Sequence, residues 1–222
     1  MTTKSAAKLS ADWFFDVISP YAYLQWREMA TFEKHLTVTP RPVLFAGLLN
    51  AWGQLGPAEI PEKRIATYQF CAWKAKQLGL PYSVPPKHPF NPLPLLRMIL
   101  ARGSHPDDIT AVFNAVWAHG LDVTDPAVIE DIRNGLGPVK GKAMSANDAK
   151  LALRQNTDDA VAVGVYGVPT FAAADAGAVK PRLFWGYDAG AWLLDWIANP
   201  GLFDDDVMRR AAACQIGVER PR

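Results

Sequence analysis

Strand-like segments occur only near the two ends of this 222-residue chain, and that distribution limits the folds it can adopt. Residues 12–17 are short, aromatic and apolar, as expected of a buried strand. Residues 36–45 form a second predicted strand, whose prolines favour irregularity or an edge position. Between them, apolar side chains recur at helical spacing over residues 21–35. The start of the chain therefore predicts a β-α-β unit.

Helical patterns without any strand signal fill the middle of the chain. They cover residues 62–78, 95–102, 107–119, 125–136 and 146–163. Glycine and proline mark residues 46–61 as a loop, and five prolines make residues 85–94 irregular. Strand signals return only at residues 168–171 and 182–185, on either side of a hairpin region of small residues over 172–180.

A helix after the last strand completes the order β-α-β, helical insertion and β-β-α, which is the thioredoxin arrangement. We therefore predict an α/β protein with a thioredoxin-like fold and an inserted α-helical domain. Both ends of the chain would form the discontinuous thioredoxin-like domain. The predicted bounds are 10–57 and 161–200 for that domain, 58–160 for the inserted domain and 201–222 for a C-terminal tail.

Charge and composition exclude several classes of partner. The 23 basic and 22 acidic residues leave a formal charge of +1, whereas nucleic-acid binding requires a basic excess. No apolar run is long enough to span a membrane, and the first ten residues lack the apolar segment of a secretory signal. Cys71 and Cys214 lie far apart, and the four histidines are scattered without ligand spacing. We expect a reduced, cytoplasmic protein without a metal site.

In a thioredoxin-like fold the chemistry takes place at the N-terminus of the first helix, where free N–H groups and the helix dipole stabilise a thiolate. Ser19 lies at this position, with Pro20 as the first helical residue; serine is a favoured N-cap and proline a favoured first residue. A disulfide oxidoreductase would need Cys-x-x-Cys here. Because neither cysteine is present, the site could instead hold an external thiolate.

Four segments carry a more specific pattern. They read FFDVISPYAYL over residues 14–24, FNAVW and DVTDP within 113–126, GVYGVPTF over 164–171 and FWGYD over 184–188. In this order they resemble the 2-hydroxychromene-2-carboxylate isomerases and the kappa-class glutathione transferases, which are DsbA-like members of the thioredoxin fold. The resemblance spans about residues 10–198, nearly the whole chain.

The resemblance implies that glutathione is the cofactor and supplies the sulfur that this chain lacks. Ser19 would be the catalytic residue, because its hydroxyl could donate a hydrogen bond to the glutathione thiolate and lower its pKa. Val168 would pair through its main chain with the cysteinyl part of glutathione, next to a cis peptide bond at Pro169. The alternative is structural: Ser19 would serve only as an N-cap, and Pro169 would only begin or end a strand.

Five further residues are candidates for binding glutathione. The resemblance places Gly186, Tyr187 and Asp188 at the γ-glutamyl end, where Asp188 would pair with the ammonium and the helix N–H groups with the carboxylate. The family usually has a small or amide residue where Tyr187 stands, so that role belongs to its main chain. Asn50 and Gln54 lie in the glycine-rich loop, and Gln54 aligns with a family asparagine. Asp188 could also be an ordinary helix acid, and the amides could be solvated.

The function implied by the resemblance is a glutathione-dependent isomerase of aromatic-hydrocarbon catabolism. It would interconvert 2-hydroxychromene-2-carboxylate and trans-o-hydroxybenzylidenepyruvate, a small aromatic carboxylate pair, in a homodimer. Aromatic side chains could line the substrate cleft, although such residues more often form core; they are Trp52, Tyr68, Trp73, Phe90 and Trp117. Two alternatives stay open. One is a kappa-type glutathione S-transferase that conjugates electrophiles, and the other is a non-enzymatic thioredoxin-fold module.

Overall fold

Both ends of the chain contribute strands to one sheet. The computed structural model describes residues 9–174 and 179–218. Within them, β1 (Leu9–Phe15), β2 (Leu36–Pro42), β3 (Thr170–Ala173) and β4 (Arg182–Trp185) form a sheet with the order β2-β1-β3-β4. β1 is parallel to β2 and antiparallel to β3, and β4 is antiparallel to β3. This is the predicted thioredoxin-like arrangement.

Helices make up most of the remaining described chain. α1 (Pro20–Arg27) and α2 (Met29–Glu33) connect β1 to β2, and α9 (Ala189–Ala198) follows β4. The others are α3 (Phe45–Trp52), α4 (Pro61–Gln77), α5 (Leu93–Ala101), α6 (Pro106–Phe113), α7 (Pro126–Gly135), α8 (Ala146–Val163) and α10 (Asp206–Ala212). A wider helical turn extends α6 over residues 114–118. No helix within the described residues is long and apolar enough to cross a membrane.

The predicted loop over residues 46–61 is wrong, because α3 occupies its first half. Leu48 and Leu49 are buried on this helix. The burial of their apolar surface offsets the low helix propensity of the glycine within it. Gly53 has a φ of 61°, and this left-handed residue ends the helix. The glycine therefore marks a helix C-terminus rather than a loop.

Other boundaries shift by a few residues. The helix predicted over 21–35 is interrupted at Glu28, which separates α1 from α2. The second strand ends at Pro42 rather than at residue 45, and it lies at the edge of the sheet, as its prolines predict. Part of the predicted hairpin region, residues 175–178, lies outside the described residues.

Aromatic side chains of the sheet pack directly against the helical insertion. Trp13 and Phe15 of β1 are fully buried, and their rings lie 6.4 and 5.7 Å from the ring of Phe113 on α6. Each such side chain contributes about 1.5–3 kcal/mol through burial. The insertion therefore shares a core with the sheet. The predicted domain bounds stay a prediction, and the one between residues 160 and 161 falls within α8.

Two main-chain segments touch within the helical region, at Gly103 and Gly141. A Cβ atom on Gly141 would lie 2.5 Å from the carbonyl oxygen of Arg102, and one on Gly103 would lie 2.5 Å from the nitrogen of Lys142. Main-chain atoms cannot move aside as the end of a flexible side chain can. Only glycine permits this approach without displacing the chain.

We predict that Gly141→Ala lowers the free energy of unfolding by about 1–3 kcal/mol, the usual cost of overpacking. Gly137→Ala is the matched control, because a Cβ atom there meets no atom within 4 Å. Denaturation in urea measures both variants. Equal stability of the two would contradict the close approach.

Candidate functional site

Ser19 caps the first helix, as its position in the sequence predicts. Its Oγ atom accepts a hydrogen bond from the main-chain N–H of Ala22 at 3.2 Å, and Pro20 is the first residue of α1. The side chain is buried in the turn between β1 and α1. Ser19 therefore lies where the positive end of the α1 dipole favours an anion.

A distant segment completes the surroundings of Ser19. The Ser19 hydroxyl donates to the carbonyl oxygen of Val168 over 3.5 Å, which is the long limit for such a bond. The peptide bond between Val168 and Pro169 is cis, as the resemblance implies. The Val168 N–H has no hydrogen-bond partner among the described residues. The structure therefore brings Ser19, Val168 and Pro169 together, with a weakly engaged hydroxyl and a free amide.

The turn before α9 lies next to this segment. The Gly186 N–H donates to the carbonyl oxygen of Pro169 at 2.9 Å. Gly186 has a φ of 95°, a left-handed conformation that favours glycine. From α1, the Gln25 amide donates to the carbonyl oxygens of Gly186 and Tyr187 at 3.1 and 3.4 Å. These bonds fix the turn relative to Ser19.

Asp188 lies at the N-terminus of the ten-residue helix α9 and is exposed. Its carboxylate does not cap the helix. A groove of about 440 Å³ begins beside it, between α2, α4 and α9. Trp73 of α4 and Tyr187 also line this groove. Trp73 is therefore one aromatic candidate that faces open space, whereas Phe90 and Trp117 are buried in the core.

The two amide candidates are less closely joined to Ser19. Asn50 lies on α3, so its predicted place in a loop is wrong, and Gln54 follows the end of that helix. Both side chains are exposed. Trp52, between them, donates its indole N–H to the carbonyl oxygen of Val165 at 2.9 Å. This bond holds the end of α3 against the segment that leads to Val168.

Asp16 supports the site, although the sequence analysis did not single it out. Its carboxylate is fully buried and accepts the N–H groups of Ile18 at 3.0 Å and Phe45 at 2.9 Å. Its carbonyl oxygen accepts the Ser19 N–H at 3.1 Å. Burial raises the pKa of Asp16 to about 7, against the opposing effect of its main-chain hydrogen bonds. In the sequence, this supporting role was indicated by the position of an acidic residue at the end of an aromatic strand.

His88 also supports the turn, and it too was missed. Its Nε2–H donates to the carbonyl oxygen of Ile18 at 2.8 Å, because a carbonyl can only accept. Nδ1 then accepts the hydroxyl of Tyr68 at 2.6 Å. Burial lowers the pKa of His88, which favours this neutral form. Trp117 adds a bond of 2.8 Å from its indole N–H to the carbonyl oxygen of Val17. Such contacts depend on the fold and leave no local pattern.

Neither cysteine lies at the N-terminus of α1. Cys71 is buried in α4, and burial raises the pKa of its thiol to about 12. Cys214 is exposed after the end of α10. Among the described residues, no cluster of three or more His, Cys, Asp or Glu could hold a metal ion. The arrangement suits the binding of an anion or thiolate brought by a ligand.

The chain is similar in sequence to known proteins over most of its length. A family model described as the DSBA-like thioredoxin domain matches residues 11–197. The chain is 25% identical to "Glutathione s-transferase kappa 2" of Caenorhabditis elegans over 205 residues, which cover 84% of this chain and 91% of that protein. It is 24% identical to "Glutathione S-transferase kappa 1" of Rattus norvegicus over 195 residues, covering 79% and 84%.

Solved structures share the fold. A 2-hydroxychromene-2-carboxylate isomerase superposes with a TM-score of 0.64 at 19% identity, covering 93% of this chain and 100% of that one. The cytosolic disulfide reductase DsbM from Pseudomonas aeruginosa with GSH superposes with a TM-score of 0.52 at 19% identity, covering 86% and 96%. At these identities the likeness concerns the fold alone.

The Asp16 carboxyl predicts a pH dependence of stability. Its pKa rises on folding from 3.8 to about 7, so the folded protein keeps this proton to a higher pH than the unfolded chain does. Its contribution to stability is fully present at low pH. It is lost as pH rises through that interval, at up to about 1.4 kcal/mol per pH unit.

Asp16→Asn should lack this slope, because an amide does not titrate. The free energy of unfolding is measured for both proteins from pH 4 to pH 8, and their difference isolates Asp16 from other acids such as Asp12, whose pKa is also raised. Parallel profiles would show that Asp16 has no raised pKa in the folded protein.

Proposed function

The chain belongs to the DsbA-like thioredoxin family, and on that premise we propose that it is a glutathione-dependent isomerase of a small aromatic carboxylate. The proposed substrate pair is 2-hydroxychromene-2-carboxylate and trans-o-hydroxybenzylidenepyruvate. The single observation that carries the proposal is the serine at the N-terminus of α1, beside a cis-proline segment, in a chain with no thiol at that helix.

The residues around Ser19 fit glutathione in three respects. The Ser19 hydroxyl donates only to a carbonyl oxygen at 3.5 Å, so it is available to a stronger, charged acceptor. The free N–H of Val168 is available for strand-like pairing with a cysteinyl main chain. The Asp188 carboxylate makes no ion pair among the described residues, so it is available to an ammonium group.

In this proposal each candidate residue has one task. Ser19 donates a hydrogen bond to the thiolate sulfur and, with the α1 dipole, lowers the pKa of the thiol. Val168 and Pro169 orient the cysteinyl part, and Gly186, Tyr187 and Asp188 hold the γ-glutamyl end. The glycyl end extends toward two amides, those of Asn50 and Gln54. When bound, glutathione supplies a sulfur nucleophile that adds reversibly to the substrate and permits rotation about the former double bond.

A second candidate function is a kappa-type glutathione transferase that conjugates electrophiles. It is favoured by the two kappa transferases, which align with the chain over 79–84% of its length. Isomerase and transferase would share the same glutathione site and differ in the cleft that receives the second substrate. Parallel assays with the chromene carboxylate and a chloronitrobenzene electrophile, both with glutathione, distinguish them. A protein that binds no glutathione would instead be a non-enzymatic thioredoxin-fold module.

The proposal extends to the setting of the protein. We place it in the cytoplasm as a homodimer that acts in aromatic-hydrocarbon catabolism. We also retain the division into a discontinuous thioredoxin-like domain, an inserted helical domain and a C-terminal tail. Genes for ring-opening enzymes beside the coding gene would support the catabolic role.

We predict that Ser19→Ala slows isomerisation at neutral pH roughly ten- to a hundredfold, because one hydrogen bond to a charged group is lost. The deficit should shrink above about pH 8.5, where a free thiol ionises without help. The pH–rate profile with saturating glutathione measures both effects. Ser19→Gly should slow isomerisation in the same way. Its loss of stability should be only about a few tenths of a kcal/mol, because glycine is a good N-cap residue.

Ser145→Ala is the control for loss of a helix cap. Ser145 caps α8 by accepting the N–H of Asp148 at 3.1 Å, and it is exposed. This variant should lose about 1 kcal/mol of stability and keep its turnover. A Ser19→Ala protein that is destabilised but has a normal pH–rate profile would remove Ser19 from catalysis.

We predict that Asp188→Asn weakens glutathione binding by about 1–3 kcal/mol, because the glutathione ammonium loses its charged partner. Isothermal titration calorimetry measures the affinity. Asp195→Asn makes the same change of charge at an exposed position on the same helix and should have no effect. An unchanged affinity in Asp188→Asn would end the assignment of the γ-glutamyl end to this turn.

A further inference from the structure

Two side chains of opposite charge in the groove between α2, α4 and α9 make no ion pair among the described residues. Lys74 of α4 and Asp188 at the start of α9 both face this groove. Among the described residues neither side chain makes an ion pair. The Lys74 ammonium and the Asp188 carboxylate therefore lie more than 4 Å from one another. A groove near the start of β1 differs in this respect. There Arg41 is paired with Asp159 at 2.8 Å and approaches Asp12 at 4.0 Å.

The Lys74 ammonium contacts the ring of Tyr187. Its Nζ atom lies over the Tyr187 ring, 5.4 Å from the ring centre, at a distance typical of a cation–π contact. The Tyr187 hydroxyl donates to the carboxylate of Glu28, and its carbonyl oxygen accepts from the amide of Gln25. Both the side-chain hydroxyl and the main-chain carbonyl of Tyr187 are therefore hydrogen-bonded. Because Asp188 is the next residue in the chain, both charged side chains lie next to Tyr187.

An unpaired cation and an unpaired anion in one groove complement a zwitterion. The α-amino acid head group has this chemistry, since a single carbon joins its ammonium and its carboxylate. Of the charged side chains in the groove, Glu28 is already engaged by the Tyr187 hydroxyl. Glu28 keeps its negative charge, but Lys74 and Asp188 are the two charged side chains of the groove without a hydrogen-bond or ion-pair partner among the described residues.

We propose that Lys74 binds the α-carboxylate of the γ-glutamyl residue of glutathione while Asp188 binds its α-ammonium. The inference rests on the proposed function and adds a residue from the inserted helices to the glutathione site. Lys74 is a ligand-binding residue in this proposal, and Tyr187 is a positioning residue that acts through its ring. The carboxylate would then have a full positive charge in addition to the N–H groups at the start of α9.

Three ligands and four variants test the inference by calorimetry. The ligands are glutathione, glutaryl-Cys-Gly, which lacks the ammonium, and 4-aminobutyryl-Cys-Gly, which lacks the α-carboxylate. The variants are Lys74→Met, Lys74→Arg and Asp188→Asn. The control is Lys76→Met, which removes an exposed cation from the same helix as Lys74. Thermal denaturation checks that each variant is folded.

Lys74→Met should weaken glutathione and the glutaryl ligand about five- to twentyfold, a loss in the range of one charged hydrogen bond that is partly solvated. It should leave the aminobutyryl ligand unchanged, since that ligand has no α-carboxylate. Asp188→Asn should show the opposite selectivity between the two analogues. Lys76→Met should match the wild type. Lys74→Arg, which keeps the charge, should retain most of the binding.

The outcomes separate this inference from the proposed function. If Lys74→Met binds glutathione normally, or weakens all three ligands equally, the assignment of Lys74 is wrong. The proposed function stands in that case, provided that the wild type binds glutathione and Asp188→Asn weakens it. If the wild type binds no glutathione, the proposed function fails and the role of Lys74 fails with it.

Discussion

The buried carboxylate of Asp16 joins the two turns on which the rest of the site depends. By accepting the N–H groups of Ile18 and Phe45, it ties the end of β1 to the start of α3. Burying a carboxyl group is costly, and it is tolerated because main-chain donors surround it. The same residue accepts the Ser19 N–H through its carbonyl oxygen. The start of α1, the orientation of Ser19 and the position of α3 therefore share one support.

Residues between β2 and β3 add to that support. His88 and Trp117 donate to the carbonyl oxygens of Ile18 and Val17, so the polar groups of this turn are satisfied by side chains distant in sequence. Ser19 itself is not needed for this purpose beyond its helix cap. Its hydroxyl is consequently left with a single weak acceptor, the carbonyl of Val168. A rigid main chain with a weakly engaged hydroxyl is a favourable arrangement for binding a charged sulfur.

Local signals account for what the sequence predicted correctly. The last strand, Arg182–Trp185, and helix α8, Ala146–Val163, lie where the pattern places them, because a short apolar run and a serine cap are read within a few residues. The cap at Ser19 follows for the same reason. The prediction of a loop over residues 46–61 was wrong, because in the sequence a glycine that ends a helix cannot be distinguished from a glycine in a loop. His88 and Lys74 were missed because their partners lie on distant parts of the chain. Asp16 was missed although one of its partners, Ile18, is two residues away; the other, Phe45, lies at the start of α3.

The central strand of the sheet has neighbours from opposite ends of the chain. β1 pairs with β2 within the first 42 residues. The other edge of β1 pairs with β3, which begins at Thr170 and is synthesised much later. A ribosome synthesising this protein therefore releases an N-terminal unit with an open strand edge and with the aromatic face of β1 still uncovered. Neither the Val168 main chain nor Asp188 exists at that stage. The proposed glutathione site can therefore form only after β3 and the turn before α9 have been synthesised.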